Sequence, residues 1–215
     1  MQHIHIWVSL LLCLGILITT QLVFMSMPLN RWDEGYATAF AQRMLDGSML
    51  PYVDAVSHRG PVFYWLTSAL VWLFGFGSWM SVRIGALMTL VLTATFTFAA
   101  LKRVGQPFAA AIFVLVFTFM HVVEMDLQDG SAFGSESVAA MFASAAFWLI
   151  VRALDRNRKT PSQSMLAGAG VLLMLGALSK QVGLVLFFSM GPWIVAAIFS
   201  RPGMDLRRRL ATLAA

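Results

Sequence analysis

Charge is scarce in this chain: 12% of its 215 residues are Asp, Glu, Lys or Arg, against 59% that are hydrophobic. So few solvated groups cannot cover that much apolar surface in water, which excludes a single soluble globule. The mean hydropathy of +0.77 points instead to an integral membrane protein. Cysteine is nearly absent. The one thiol, Cys13, lies inside the first apolar run, so an internal disulfide is excluded and the redox compartment stays open. There is no Gly-rich phosphate loop, no cysteine pair and no G-x-S-x-G elbow, which leaves soluble nucleotide chemistry unsupported. No repeat, low-complexity tract or soluble domain interrupts the sequence. The opening MQHIHIW has no basic n-region, and no small-x-small cleavage site precedes Pro28. Residues 6–27 are therefore expected to stay as a signal-anchor.

What the chain does contain is a series of apolar runs. A spanning helix needs about 20 mainly apolar residues. Six segments come close, at roughly 6–27, 79–101, 107–125, 136–154, 163–179 and 182–199. A further run, PVFYWLTSALVWLF from Pro61 to Phe74, has only 14 residues and carries Tyr64, Trp65 and Trp72. Such rings favour the membrane–water boundary, so this segment is expected along the interface. Between it and the first span, Asp33 to Asp46 reads as a short amphipathic surface helix stopped at Gly47. Glu34, Thr38 and Gln42 share one face of it, and Tyr36, Phe40 and Met44 another. In the second span, Ser81, Gly85, Thr89, Thr93 and Thr97 form a stripe of small residues suited to close helix packing in lipid. Ala167 to Gly170 is expected to serve the same end.

The formal net charge is +5, which in a soluble protein would suggest nucleic acid. Here the basic residues cluster between apolar runs and read as orientation signals, so no nucleic-acid partner is expected. With a cytoplasmic N-terminus, ten of the fifteen basic residues fall inside: Lys102, Arg103, Arg152, Arg156, Arg158, Lys159, Arg201 and Arg207 to Arg209. Eight of the ten acids fall outside, including Asp33, Glu34, Asp46, Asp54, Glu124 and Glu136. The alternative, with Pro61 to Phe74 spanning and the N-terminus outside, also satisfies the positive-inside rule. Segment length and aromatic content favour six spans.

The adjacent Asp33 and Glu34 are the sharpest chemical signal. Alone, acids in a first helical turn do no more than complement the helix dipole. Their company is what matters: the HRGP run at His58 to Pro61, the GSES run at Gly134 to Ser137, and Lys180 in ALSKQ all fall on the same side. Each has an ordinary reading. Arg59 can be an interfacial arginine before a helix opened by Pro61. Ser135 can cap the fourth span with Glu136 in its first turn. Lys180 can snorkel from a tight turn. Together they describe a site with carboxylates for proton transfer and fixed cations for an anionic group. His58 with Asp33, Glu34 or Asp54 is too loosely specified for a metal centre, and His3, His5 and His121 show no ligand spacing. No metal or other cofactor is expected.

In this order, DEGYATAFAQRMLDG, YVDAVSHRGPVFYWLTSALVWLFG, SVRIGALMTL, GSESVAAMFASAAFWLIVRAL and GALSKQVGLVLF resemble the polyprenyl-phosphate-dependent glycosyltransferases of the multi-spanning GT-C fold. The likeness is to the branch related to protein O-mannosyltransferases, the aminoarabinose transferase of lipid A and the rhizobial lipopolysaccharide sugar transferases. The resemblance implies an all-α membrane module over 1–215 with about six transmembrane helices. Its outer loop, 28–78, would carry two interfacial helices. It implies Asp33 as catalytic base with Glu34 beside it, and Arg59, Lys180, Glu136 and His58 as substrate-binding residues. Arg59 stands where the family usually has lysine, and Gly60 where it has proline. The family is commonly about twice as long, so this chain resembles its N-terminal half and is expected to lack the family's C-terminal spans, which a partner subunit could supply.

The implied reaction moves a sugar from a polyprenyl-phosphate donor to a lipid, glycan or protein acceptor at the outer face of a bacterial inner or plasma membrane, with inversion. Membrane lipids are the other expected partners. Two other readings compete: a non-catalytic or split-enzyme subunit that binds polyprenyl phosphate, and a transporter. Ionisable residues gathered at span ends rather than mid-span weigh against transport.

Overall fold

The structure, a computed structural model, describes residues 2–25, 34–54, 59–75, 79–125, 133–155 and 161–199, with Leu210. Asp33 and His58 lie outside the described residues. Among the described residues the chain is helical, with eight helices: α1 Gln2–Met25, α2 Glu34–Leu45, α3 Pro61–Phe74, α4 Trp79–Arg103, α5 Pro107–Met125, α6 Ser135–Ala153, α7 Gln163–Ser179 and α8 Val182–Phe199. Among the described residues, two stretches, Met80–Arg103 and Ser135–Ala153, are long and apolar enough by themselves to cross a membrane.

The helices pack in two groups that share α4. On one side α1 lies against α4 and α5, and Leu10, Cys13, Phe98, Ala110 and Val114 fill the seam. On the other, α6 packs against α4 and α7, with Ala146, Ile150, Ala153, Leu166, Ala169 and Leu173 between α6 and α7. Small residues make these seams tight. Along α4, Ser81, Gly85, Thr89 and Thr93 are all buried, and Thr97 donates to Ser144 of α6 at 3.1 Å. The sequence stripe thus does what its spacing suggests. The α7 stripe does so only in part: Gly168 approaches Leu149, whereas Gly170 is exposed with open space beside it.

The outward faces are apolar. Leu11, Phe108, Phe119 and Phe188 are 64–76% exposed, a distribution that suits lipid and not water. Polar contacts collect at the two ends of the bundle. At one end Arg103 pairs with Asp155, and the Lys102 ammonium sits 3.7 Å from the Trp7 ring centroid. At the other end of α4 stands Arg83. Twenty residues separate Arg83 from Arg103, about 30 Å of helix and close to the depth of a hydrocarbon core.

Helices α2 and α3 pack against each other and against α4 near the Arg83 end, and α3 also meets α7. Pro61 opens α3 as its position predicts, since its missing N–H would have no helical partner there. Val62, Phe63, Tyr64, Thr67 and Val71 face inward, while Trp65 and Trp72 are exposed. Gly47, at φ 75, follows the end of α2 and turns the chain. The burial of α2 differs from a simple surface helix: Glu34, Ala37, Thr38, Phe40 and Ala41 are buried, so the polar Glu34–Thr38 edge faces protein. A different residue caps α6 as well. Gly134 takes the N-cap position, and its N–H donates to the Ser137 hydroxyl at 3.2 Å. Ser135 is the first helical residue and donates to Glu136 instead, at 3.1 Å.

Candidate functional site

The Arg83 end gathers residues from five helices and the loops that join them. Its floor is aromatic. Phe40 of α2 stacks on Tyr64 of α3 with centroids 4.0 Å apart, and Phe63 stacks on Phe133 at 5.4 Å. Val82 and Ala86 of α4 and Val138 of α6 complete this cluster.

Within it lies a buried ion pair that joins α2 to α4. Arg83 donates from Nε to Glu34 Oε1 and from its terminal nitrogen to Oε2, both at 2.8 Å, and both side chains have 0% exposure. The fork geometry uses both carboxylate oxygens and anchors the first residue of α2 to the first turns of α4. Read from sequence, Arg83 is only one of the outer-side basic residues, and nothing within its own run marks it as Glu34's partner. Glu34 is therefore engaged by a buried arginine, an arrangement that fixes the start of α2 against α4.

The backbones next to Arg59 and Lys180 meet. Gly60 N–H donates to the Ser179 carbonyl at 2.8 Å, tying the start of α3 to the end of α7. Arg59 precedes the donor residue and Lys180 follows the acceptor residue. The contact needs glycine: a Cβ on Gly60 would stand 1.9 Å from the Leu178 carbonyl oxygen. A proline there would also lack the N–H that makes the bond.

The Arg59 side chain is buried, its guanidinium carbon 5.2 Å from the Tyr36 ring centroid and 5.4 Å from that of Phe63. Its carbonyl accepts the Tyr52 hydroxyl. Partial desolvation raises the Tyr52 phenol above its ordinary value even though the residue is 44% exposed, and a phenol is in any case a protonated donor at neutral pH. Lys180 turns its ammonium to Glu136 at the start of α6. Of the residues expected at the site, Glu34, Arg59, Glu136 and Lys180 thus lie at one end of the bundle. Asp33 and His58 lie beyond description. Arg83, Tyr36 and Tyr52 also join the site; they lie in stretches that carry the family resemblance, but the resemblance assigns them no site role. Among the described residues, no three of His, Cys, Asp and Glu converge as metal ligands would.

The model of the dolichyl-phosphate-mannose-protein mannosyltransferase family matches residues 58–215, which takes in Arg59, Arg83, Glu136 and Lys180. The chain belongs to this family. Membership implies a membrane glycosyltransferase of the mannosyltransferase type. The matched segment begins at His58, so α2 and the acidic pair precede it. No curated protein and no solved structure matches the chain.

Proposed function

We propose that this member of the family transfers a sugar from a polyprenyl-phosphate-linked donor to a hydroxyl or amine acceptor at the outer face of the membrane, with inversion at the anomeric carbon. The observation that carries the reading is the backbone bond from Gly60 to Ser179, which places Arg59 and Lys180 on either side of one short contact. Two cationic residues flanking one contact suit a phosphate, Lys180 exchanging Glu136 for it, and the phosphate becomes a good leaving group once its charge is neutralised.

Asp33 is the base in this scheme. It takes the acceptor proton as the acceptor oxygen or nitrogen forms a bond to the anomeric carbon. The bond from that carbon to the phosphate oxygen breaks, and its electron pair leaves with the polyprenyl phosphate, held by Arg59 and Lys180. Glu34 does not share the proton. Its carboxylate stays with Arg83. An apolar cavity of about 270 Å³ suits the prenyl units: Leu92, Phe96, Met141, Phe142, Trp148 and Leu172 line it. Leu92 sits nine residues along α4 from Arg83, about 13 Å into the bundle.

The same bond supports six spans with α3 along the interface. If α3 crossed the membrane from a cytoplasmic first loop, residues 60 and 179 would lie on opposite faces, about 30 Å apart. They are hydrogen-bonded.

Two measurements test the function. Native mass spectrometry of the protein in mild detergent is expected to detect a bound polyprenyl phosphate or its glycosylated form, lost in Arg59→Ala. In a transfer assay Asp33→Asn is expected to lower turnover by about 100- to 10,000-fold, the usual worth of a general base. Full activity in Asp33→Asn, or a product with retained anomeric configuration, would sink the mechanism. Assembly with a partner that is indifferent to Asp33, in the absence of any transfer, would point to a non-catalytic subunit.

A further inference from the structure

Arg59 is restrained at three points by groups that do no chemistry of their own. The Tyr52 hydroxyl holds its carbonyl, the Gly60–Ser179 bond holds the peptide that follows, and the Tyr36 and Phe63 rings flank its guanidinium. Two of these restraints are costly to arrange. Tyr52 adopts φ 66, in the left-handed region that residues with a bulky side chain rarely enter. It is the only residue other than glycine with a positive φ among the described residues. Gly60 lies so close to the Leu178 carbonyl that any side chain would force one backbone off the other.

Unfavourable conformations persist where the surrounding structure over-determines them, and they cluster where a group must be held in place. Both of these converge on one arginine. The peptide that follows that arginine is bonded to the residue before a lysine. A cation fixed in advance loses less freedom when an anion arrives, and it keeps the geometry that a charge-assisted hydrogen bond requires.

We infer that Tyr52 and Gly60 are positioning residues that clamp Arg59 near the turn carrying Lys180, whose ammonium exchanges Glu136 for the ligand when both cations receive a single phosphate group. This inference rests on the donor site proposed above. Neither residue touches the phosphate. Tyr52 acts through the Arg59 carbonyl, and Gly60 by admitting the α7 backbone.

The clamp is tested by equilibrium binding of dolichyl phosphate, and of uncharged dolichol, to the full chain in detergent micelles. The proteins compared are wild type, Arg59→Ala, Gly60→Ala and Tyr52→Phe. Gly60→Ala is expected to weaken dolichyl phosphate binding by about tenfold and Tyr52→Phe by about threefold, in the range of one misaligned or lost hydrogen bond. Binding of dolichol should stay within about twofold, because a clamp on a cation matters only to the charged ligand. Equal weakening of both ligands would make these residues general packing elements and overturn the clamp. If Arg59→Ala loses dolichyl phosphate while Gly60→Ala and Tyr52→Phe bind it as wild type does, the clamp fails and the donor site stands. If Arg59→Ala binds it unchanged, the donor site fails and takes the clamp with it. Should Gly60→Ala not fold, Tyr52→Phe decides alone, since it removes one oxygen and keeps the ring: unchanged binding overturns the clamp.

Discussion

Glu34 and Arg83 sit 49 residues apart in sequence and share two hydrogen bonds out of reach of solvent. Withdrawing both charges from water costs several kcal/mol per ion, which their mutual pairing helps to offset. Arg83→Met or Glu34→Leu alone leaves one charge buried without its counterpart. Either is expected to destabilise the protein by about 3–5 kcal/mol, read from unfolding in detergent. The double variant should recover much of that loss, because two apolar side chains of similar volume need no partner. It is not expected to recover transfer, since α2, which follows the proposed base in the chain, is then no longer tied to α4 by this pair. Recovery of activity along with stability would show that transfer does not depend on this tie.

Among the elements, the α7–α8 hairpin depends on contact between backbones. A Cβ on Gly183 would stand 2.5 Å from the Gly176 carbonyl group and 2.6 Å from the Ala177 nitrogen, atoms that cannot rotate away. Gly183→Ala is therefore expected to cost about 1–3 kcal/mol, the usual toll of overpacking, and to lower the thermal midpoint in detergent. Gly191, farther along α8, has nothing within 4 Å of a Cβ. Gly191→Ala should be neutral or stabilising by up to about 1 kcal/mol, because alanine is the better helix former. Similar losses in both variants would show that helix propensity, and not close approach, governs this hairpin. The hairpin bears on function because its turn carries Lys180 and presents the Ser179 carbonyl to Gly60.

For the whole molecule, the proposed arrangement is a bundle whose ends face different compartments. Val53 in the first loop is 76% exposed and Val104 after α4 is 49% exposed, so both accept a labelling cysteine. Cys13 is buried and gives little background. A membrane-impermeant maleimide applied to intact cells is expected to label Val53→Cys and to reach Val104→Cys only after permeabilisation. Protection of both until permeabilisation would instead mean that α3 crosses the membrane and the first loop is cytoplasmic.

Much of this was legible in the sequence because hydropathy and turn chemistry are local. The lengths of the apolar runs, Pro61 at the head of α3, Gly47 after α2, the small-residue stripe on α4 and the tight turn at Lys180 follow from neighbouring residues alone. So does the gathering of Lys102, Arg103 and Arg152 away from the acids of the first loop. What only the tertiary structure decided is who meets whom. Nothing in RWDEGY says that Glu34 belongs to Arg83, and nothing in SHRGP says that Gly60 lies on the carbonyl of Ser179. A buried polar group must find a partner, but the chain offers several, and the choice is made when helices far apart in sequence close on one another and exclude water.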